Sequence, residues 1–167
     1  MSTATTSSFD PKLIVPFVKS VRSVVSTMVG LEMSVGRPEV KQTPLASYDV
    51  SSIIQFNGDI VGTVVLSFEL EAAKALVNGF AGMELEPESS DFADAIGELC
   101  NMVSGAAKKE LGYDASIGIP SVIIGTNHQV ARLKDVPCLS VPCTVDAGAF
   151  AVEVSIKSVA GAERIAA

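Results

Sequence analysis

After Asp10-Pro11, the apolar residues Leu13, Phe17, Val21, Val24, Val25 and Met28 recur at helical spacing, and the run stops at Gly30. That period predicts an opening helix of about 18 residues. The pattern then changes. Residues 35–40, 50–56 and 60–68 are rich in β-branched side chains, which suit a pleated, half-buried surface. Asn57-Gly58 falls between the last two runs, and a type I′ turn there, with positive φ at both residues, predicts a tight hairpin. Helical spacing returns over 71–80 and gives way to 81–87, which carries Gly82 and Pro87. A longer helix is predicted over 91–111, with Ser89, Ser90 or Asp91 as its N-cap and Gly112 as its terminator. Strand-like runs over 115–124, 138–145 and 150–158 close the chain.

The order is helix, strands, helix, then helix and strands again, so two loosely similar halves meet near residue 85. Hairpin connections, without regular strand-helix alternation, predict an α+β fold: an antiparallel sheet packed with helices. Its length suits a single domain over residues 11–160. Residues 1–10 read as a disordered tail and 161–167 as a frayed end.

Composition narrows the chemistry. Apolar residues make up 48% and charged residues 19% of the chain, which excludes the disordered class outside the ends. Nineteen Asp and Glu against twelve Lys and Arg give a net charge of −7, and no basic cluster interrupts that balance, so nucleic acid is not an expected partner. Three Cys and one His provide neither a disulfide framework nor a zinc shell. His128 would have to serve any haem site, triad or histidine shuttle, and it reads instead as a solvated loop residue. The start of the chain lacks the pattern of a secretion signal, and no run reaches 18 apolar residues, so a soluble cytoplasmic protein is expected, without a membrane partner. Neither a P-loop nor a G-x-G-x-x-G motif is present.

The segment 92–109 separates into two faces when advanced by about 100° per residue. Phe92, Ala95, Ile96, Leu99, Cys100, Val103, Ala106 and Ala107 share an arc of roughly 140°, wide enough to be a buried stripe. Asp94, Glu98, Asn101, Gly105, Lys108 and Lys109 share the opposite arc of roughly 100°. Glu98 and Asn101 are three apart, so their side chains emerge about 60° and about 4.5 Å from each other and form one polar site. Gly105 lies between them in angle, one turn further on, and Gly97 borders the same face. Each interior helical Gly costs roughly 1 kcal/mol against Ala. Two readings of that cost stand: a bare strip for another molecule's close approach, or close packing against this chain's own strands.

Asp94-Ala95-Ile96-Gly97-Glu98-Leu99-Cys100-Asn101-Met102-Val103-Ser104-Gly105 resembles the D-A-x-G-E-x-x-N-M-x-x-G run of the CheC/CheX/FliY chemotaxis phosphatases. Pro120-Ser121-Val122-Ile123-Ile124-Gly125, Asp135-Val136-Pro137 and Phe150-Ala151-Val152-Glu153-Val154 resemble the family's later strands, and the resemblance covers most of residues 13–158. CheC-like members carry a second E-x-x-N on the opening helix, where this chain reads Pro16-Phe17-Val18-Lys19-Ser20-Val21-Arg22-Ser23-Val24. A single site on the second long helix is the CheX arrangement, and no segment matches the switch-binding domain of FliY. The resemblance implies a homodimer paired through sheet edges. It also implies a hydrolase acting on the phospho-aspartate of a CheY-type response regulator, in chemotaxis or two-component signalling, with Glu98 and Asn101 catalytic.

An acyl phosphate has a good leaving group, so its hydrolysis mainly requires a water held in line behind the phosphorus. A carboxamide can hold it, because the group accepts from water, donates nearby and stays neutral beside a phosphoryl group. Asn101 is the candidate. A carboxylate there would repel the anion, so Glu98 acts one step away on a basic group; the family implies the regulator's phosphoryl-contacting Lys. Asp94, Gly97 and Gly105 are candidates for partner contact, although Asp94 also suits a helix start and Lys108 and Lys109 a helix end. No cofactor is expected on this chain, and Mg2+ is expected on the partner regulator. The alternative function is a non-catalytic module of the same fold that binds receiver domains or dimerises.

Overall fold

The computed structural model describes residues 10–159 and 161–165. The expected disordered tail lies outside the described residues except for Asp10. In chain order the elements are a 3-10 turn Pro11–Leu13, α1 Val15–Val24 continued by the π-helical turn Val25–Val29, β1 Ser34–Val35, β2 Glu39–Lys41, β3 Val50–Gly58, β4 Ile60–Phe68, α2 Leu70–Ala81, α3 Ser90–Leu111, β5 Ala115–Ile117, β6 Ser121–Ile124, β7 Cys138–Val145 and β8 Gly148–Ser158. The opening helix stops where expected, at a left-handed Gly30 with φ +78°.

The eight strands form one antiparallel sheet in the order β1-β7-β8-β4-β3-β5, with β2 also on β7 and β6 also on β3. Its centre is the long β4–β8 ladder, from Ile60↔Ser158 to Phe68↔Phe150. The two halves interlock. The hairpin β3–β4 of the first half receives β5 and β6 of the second, while β7–β8 of the second half receives β1 and β2 of the first.

One face is apolar because alternate residues of each long strand point to it. Val50, Ile54, Phe56, Val64, Leu66, Phe68, Val141, Phe150, Val152 and Val154 form it, and all are buried against Phe17, Val21, Phe92, Ile96 and Val103 of the helices. Phe17 meets Phe56 edge-on at 5.7 Å, and Phe68 stacks on Phe150 at 5.5 Å. Such aromatic pairs contribute roughly 0.5–1.5 kcal/mol beyond their burial.

One local expectation is corrected. Asn57-Gly58 is not the hairpin turn: Asn57 lacks positive φ, and both residues extend β3 by pairing with Ser116 and Ala115. The competing β5 ladder draws them in, and Asp59 N–H follows by donating to Asp114 O at 2.8 Å. Gly58 takes φ +113°, and a Cβ there would lie 2.7 Å from Asp114 O. Residues 161–165 return to the foot of α3, where Arg164 Nε donates to Leu111 O at 3.0 Å and its guanidinium lies 5.9 Å from the Tyr113 ring centre.

Candidate functional site

Helix α3 begins where Ser89 Oγ accepts from Phe92 N–H at 3.2 Å, and it ends at Gly112 with φ +71°. Asp91 in the first turn and Lys108 and Lys109 in the last match the helix dipole. The buried stripe is Phe92, Ala95, Ile96, Gly97, Leu99, Cys100, Val103, Ser104, Ala107 and Leu111. It is rotated slightly from the sequence reading: Ala106 is exposed, while Gly97 and Ser104 are buried. The rotation has a cause, since β6 and the link before it pack along the Gly97 side.

Asp94 and Glu98 are exposed, and Asn101 is half-buried beside them. Among the described residues no side-chain hydrogen bond or ion pair ties down any of the three. Like charges one turn apart cost an isolated helix a few tenths of a kcal/mol, so placing Asp94 and Glu98 together does not stabilise the helix. They form an acidic strip open to a basic group, and the Asn101 amide offers one acceptor oxygen and two N–H donors at its edge. A Cβ on Gly105 would meet nothing within 4 Å; internal packing does not require the glycine, and the strip stays bare. Gly97 corrects the expectation of a docking contact. It is buried, and its Cβ would lie 3.6 Å from Pro120 Cγ and from Val122 Cγ2, so it packs against the chain's own sheet.

The other face of the sheet carries what the sequence reading missed. Glu153 is fully buried in β8. Its carboxylate accepts from Ser47 Oγ and pairs with Lys41 Nζ at 2.9 Å and with Arg132 Nη2. Two loops, 42–49 and 125–137, thereby close over this face; Ala46 N–H donates to His128 O at 3.0 Å, and Val130 N–H to Pro44 O at 2.8 Å. His128 is not a solvated loop residue. It is half-buried, with Nδ1 2.8 Å from Gly125 O and Nε2 2.7 Å from the buried Ser51 Oγ. The signal for this layer was present: a lone carboxylate inside the apolar run 150–156 needs buried partners.

All three cysteines are free and buried. Burial pushes each thiol from an ordinary 9.0 up to about 11, and Cys100 Sγ donates to Ser52 O at 3.7 Å. They remain neutral thiols at physiological pH. Among the described residues no group of three or more His, Cys, Asp and Glu is placed to hold a metal ion, and no described helix is long and apolar enough to cross a membrane.

This interlocked α+β architecture is shared with a CheC-like superfamily protein from Shewanella sp. PV-4, at TM-score 0.81 and 30% identity over 90% of this chain and 100% of that one. Residues 50–144, more than half of the chain and including the Glu98-to-Asn101 segment, match the family model for chemotaxis phosphatase CheX. The protein belongs to the CheX family. It is 28% identical over 154 residues to the CheY-P phosphatase CheX of Thermotoga maritima, spanning 89% of this chain and 98% of that one. Its fold also matches CheX in the CheX–CheY–BeF3–Mg2+ complex from Borrelia burgdorferi, at TM-score 0.71 and 23% identity over 87% and 98% of the two chains.

Proposed function

We propose that this protein hydrolyses the phospho-aspartate of a CheY-type receiver domain and so terminates its signal. One observation carries the reading: Glu98 and Asn101 stand side by side on an open helix face, with no side-chain partner among the described residues, next to the bare Gly105. Family membership and the Thermotoga relative's activity point the same way.

In this scheme α3 is laid over the phosphorylated pocket of the receiver. The Asn101 carboxamide accepts a hydrogen bond from the attacking water and fixes it in line behind phosphorus. Positioning of this kind can supply several kcal/mol, because the helix already carries the amide on the docking face and the docked receiver supplies the rest of the alignment. Glu98 takes a basic side chain of the receiver in a charge-assisted pair, which helps dock the two surfaces and draws that cation away from the phosphoryl oxygens. Asp94 extends the acidic strip by one turn. Magnesium is assigned to the receiver's own acidic pocket. The protein acts as a homodimer joined through a sheet edge; the outer edges of β1/β2 and of β5/β6 lack a strand partner among the described residues, and an unpaired edge is a template for a second copy.

The test is decay of phosphate on a purified CheY-type receiver with substoichiometric amounts of this protein. Multiple turnovers by the wild type, and turnover slowed about 10²- to 10³-fold in Asn101→Ala, are expected. Slowed decay at stoichiometric ratios would assign the protein to receiver binding without catalysis. Light scattering should give twice the chain mass; a monomer would remove the dimer from the scheme.

A further inference from the structure

The run 115–124 is broken into β5 and β6 by Gly118-Ile119-Pro120. Both flanks of this link are fixed. Gly118 N–H donates to Gln55 O of β3 at 2.9 Å. On the other side Pro120 and Val122 pack against the Gly97 position of α3, each 3.6 Å from where its Cβ would be. Between these anchors Ile119 is 93% exposed, the highest value among the described exposed large hydrophobics. A single exposed apolar residue is ordinary. This one is held differently. The following proline confines it to extended backbone, β-branching restricts its χ1, and neither neighbour is free to shift it toward the core.

Its position gives it a use. Gly97 immediately precedes Glu98 and lies about 40° around α3 from Asn101, so the link borders the polar strip on its Asn101 side. A rigid apolar knob beside a few polar groups is the composition of an interface anchor: apolar contact supplies affinity, and the polar groups supply register and chemistry. The acidic strip alone would attract any basic surface.

We infer that Ile119 is a docking and specificity residue for the receiver domain, seated in an apolar depression beside that domain's phosphorylation pocket. This rests on the phosphatase reading above. Ile119 has no part in the chemistry; its contact is the same before and during phosphoryl hydrolysis, and such uniform binding appears in KM and not in kcat.

The experiment uses the full chain and a CheY-type receiver from the same organism, phosphorylated with acetyl phosphate in Mg2+. Ile119→Ala should raise KM about 10-fold, and Ile119→Asp still more, with kcat at saturation within about twofold. Ile119→Val should restore most of the affinity. Kd for the receiver, measured on the Asn101→Ala background, should move in parallel with KM. Unchanged KM and Kd in both variants would overturn the inference while leaving the phosphatase intact. A drop in kcat at saturation, or a changed oligomeric mass, would overturn it in favour of a catalytic or self-association role. Receiver binding without turnover in the wild type would remove the catalytic reading, and the Kd series would still decide on Ile119. Absence of both binding and turnover overturns the two together.

Discussion

Replacing Asn101 with Ala separates catalysis from folding in one residue. The amide is half-buried and has no hydrogen-bond partner among the described residues, so no internal bond is broken. In the middle of α3 alanine exceeds asparagine in helix propensity by up to about 0.7 kcal/mol. The packing lost by trimming a half-buried carboxamide offsets part of this, and the net change should lie within about 0.5 kcal/mol. For a chain of this length that moves Tm by about 2 °C or less. Turnover should respond on another scale. Loss of one preorganised hydrogen-bonding group at a reaction centre costs about 10²- to 10³-fold in kcat. The isosteric Asn101→Asp keeps the shape but places a second anion beside Glu98 and the phosphoryl group, and should be as inactive. The assays are phosphate decay on the receiver and thermal melting by circular dichroism. A Tm loss beyond about 6 °C would show that the amide supports the fold, and turnover within about tenfold of wild type would refute its role in holding water.

Glu98→Ala should weaken docking and slow turnover together while Tm holds or rises slightly, because the repulsion with Asp94 disappears; a change in kcat alone, with binding untouched, would contradict the pairing assigned to Glu98. Gly105→Leu adds bulk where nothing lies within 4 Å, so the protein should fold normally and fail to engage the receiver in a pull-down. Glu153→Leu strands Lys41 and Arg132, whose side chains are only 10% and 9% exposed; urea unfolding should show a loss of about 3–5 kcal/mol, and the added changes Lys41→Met and Arg132→Leu should recover most of it. The thiols set an alkaline limit. Each has its folded pKa raised from 9.0 to about 11, so their contribution is fully present below pH 9 and is lost as pH rises through 11. The slope reaches about 1.4 kcal/mol per pH unit for each thiol, and urea midpoints of a Cys→Val series across that window should be flatter than those of the wild type.

Much of the architecture was legible because the dominant signals were local. The β-branched runs marked β3, β4, β7 and β8, and the caps Ser89 and Gly112 bounded α3 as expected from their chemistry. The faces of α3 were read to within a small rotation, since a period of 3.6 residues fixes them before any partner is known. What escaped depended on distant pairing. The ladder to β5 decides that Asn57-Gly58 continues a strand, and nothing within that dipeptide announces it. Gly97 and Gly105 carry the same letter and differ only in whether β6 arrives beside them. The cover on the second sheet face was hidden because it consists of loops, whose polar residues look solvated until Glu153 is seen to gather Lys41, Ser47 and Arg132.

The crossed assignment of the short strands bears on how the molecule is made. A nascent chain that has just cleared the ribosome with α2 has a hairpin but neither of the neighbours that complete it, because β5 and β6 are not yet synthesised and β8 comes last of all. The pairs that β1 and β2 need arrive about a hundred residues after them. Closure therefore waits for β7 and β8, and loop-closure entropy over that span makes it slow. Prematurely terminated products would present apolar strand edges on both sides, which makes them natural clients for chaperones and proteases.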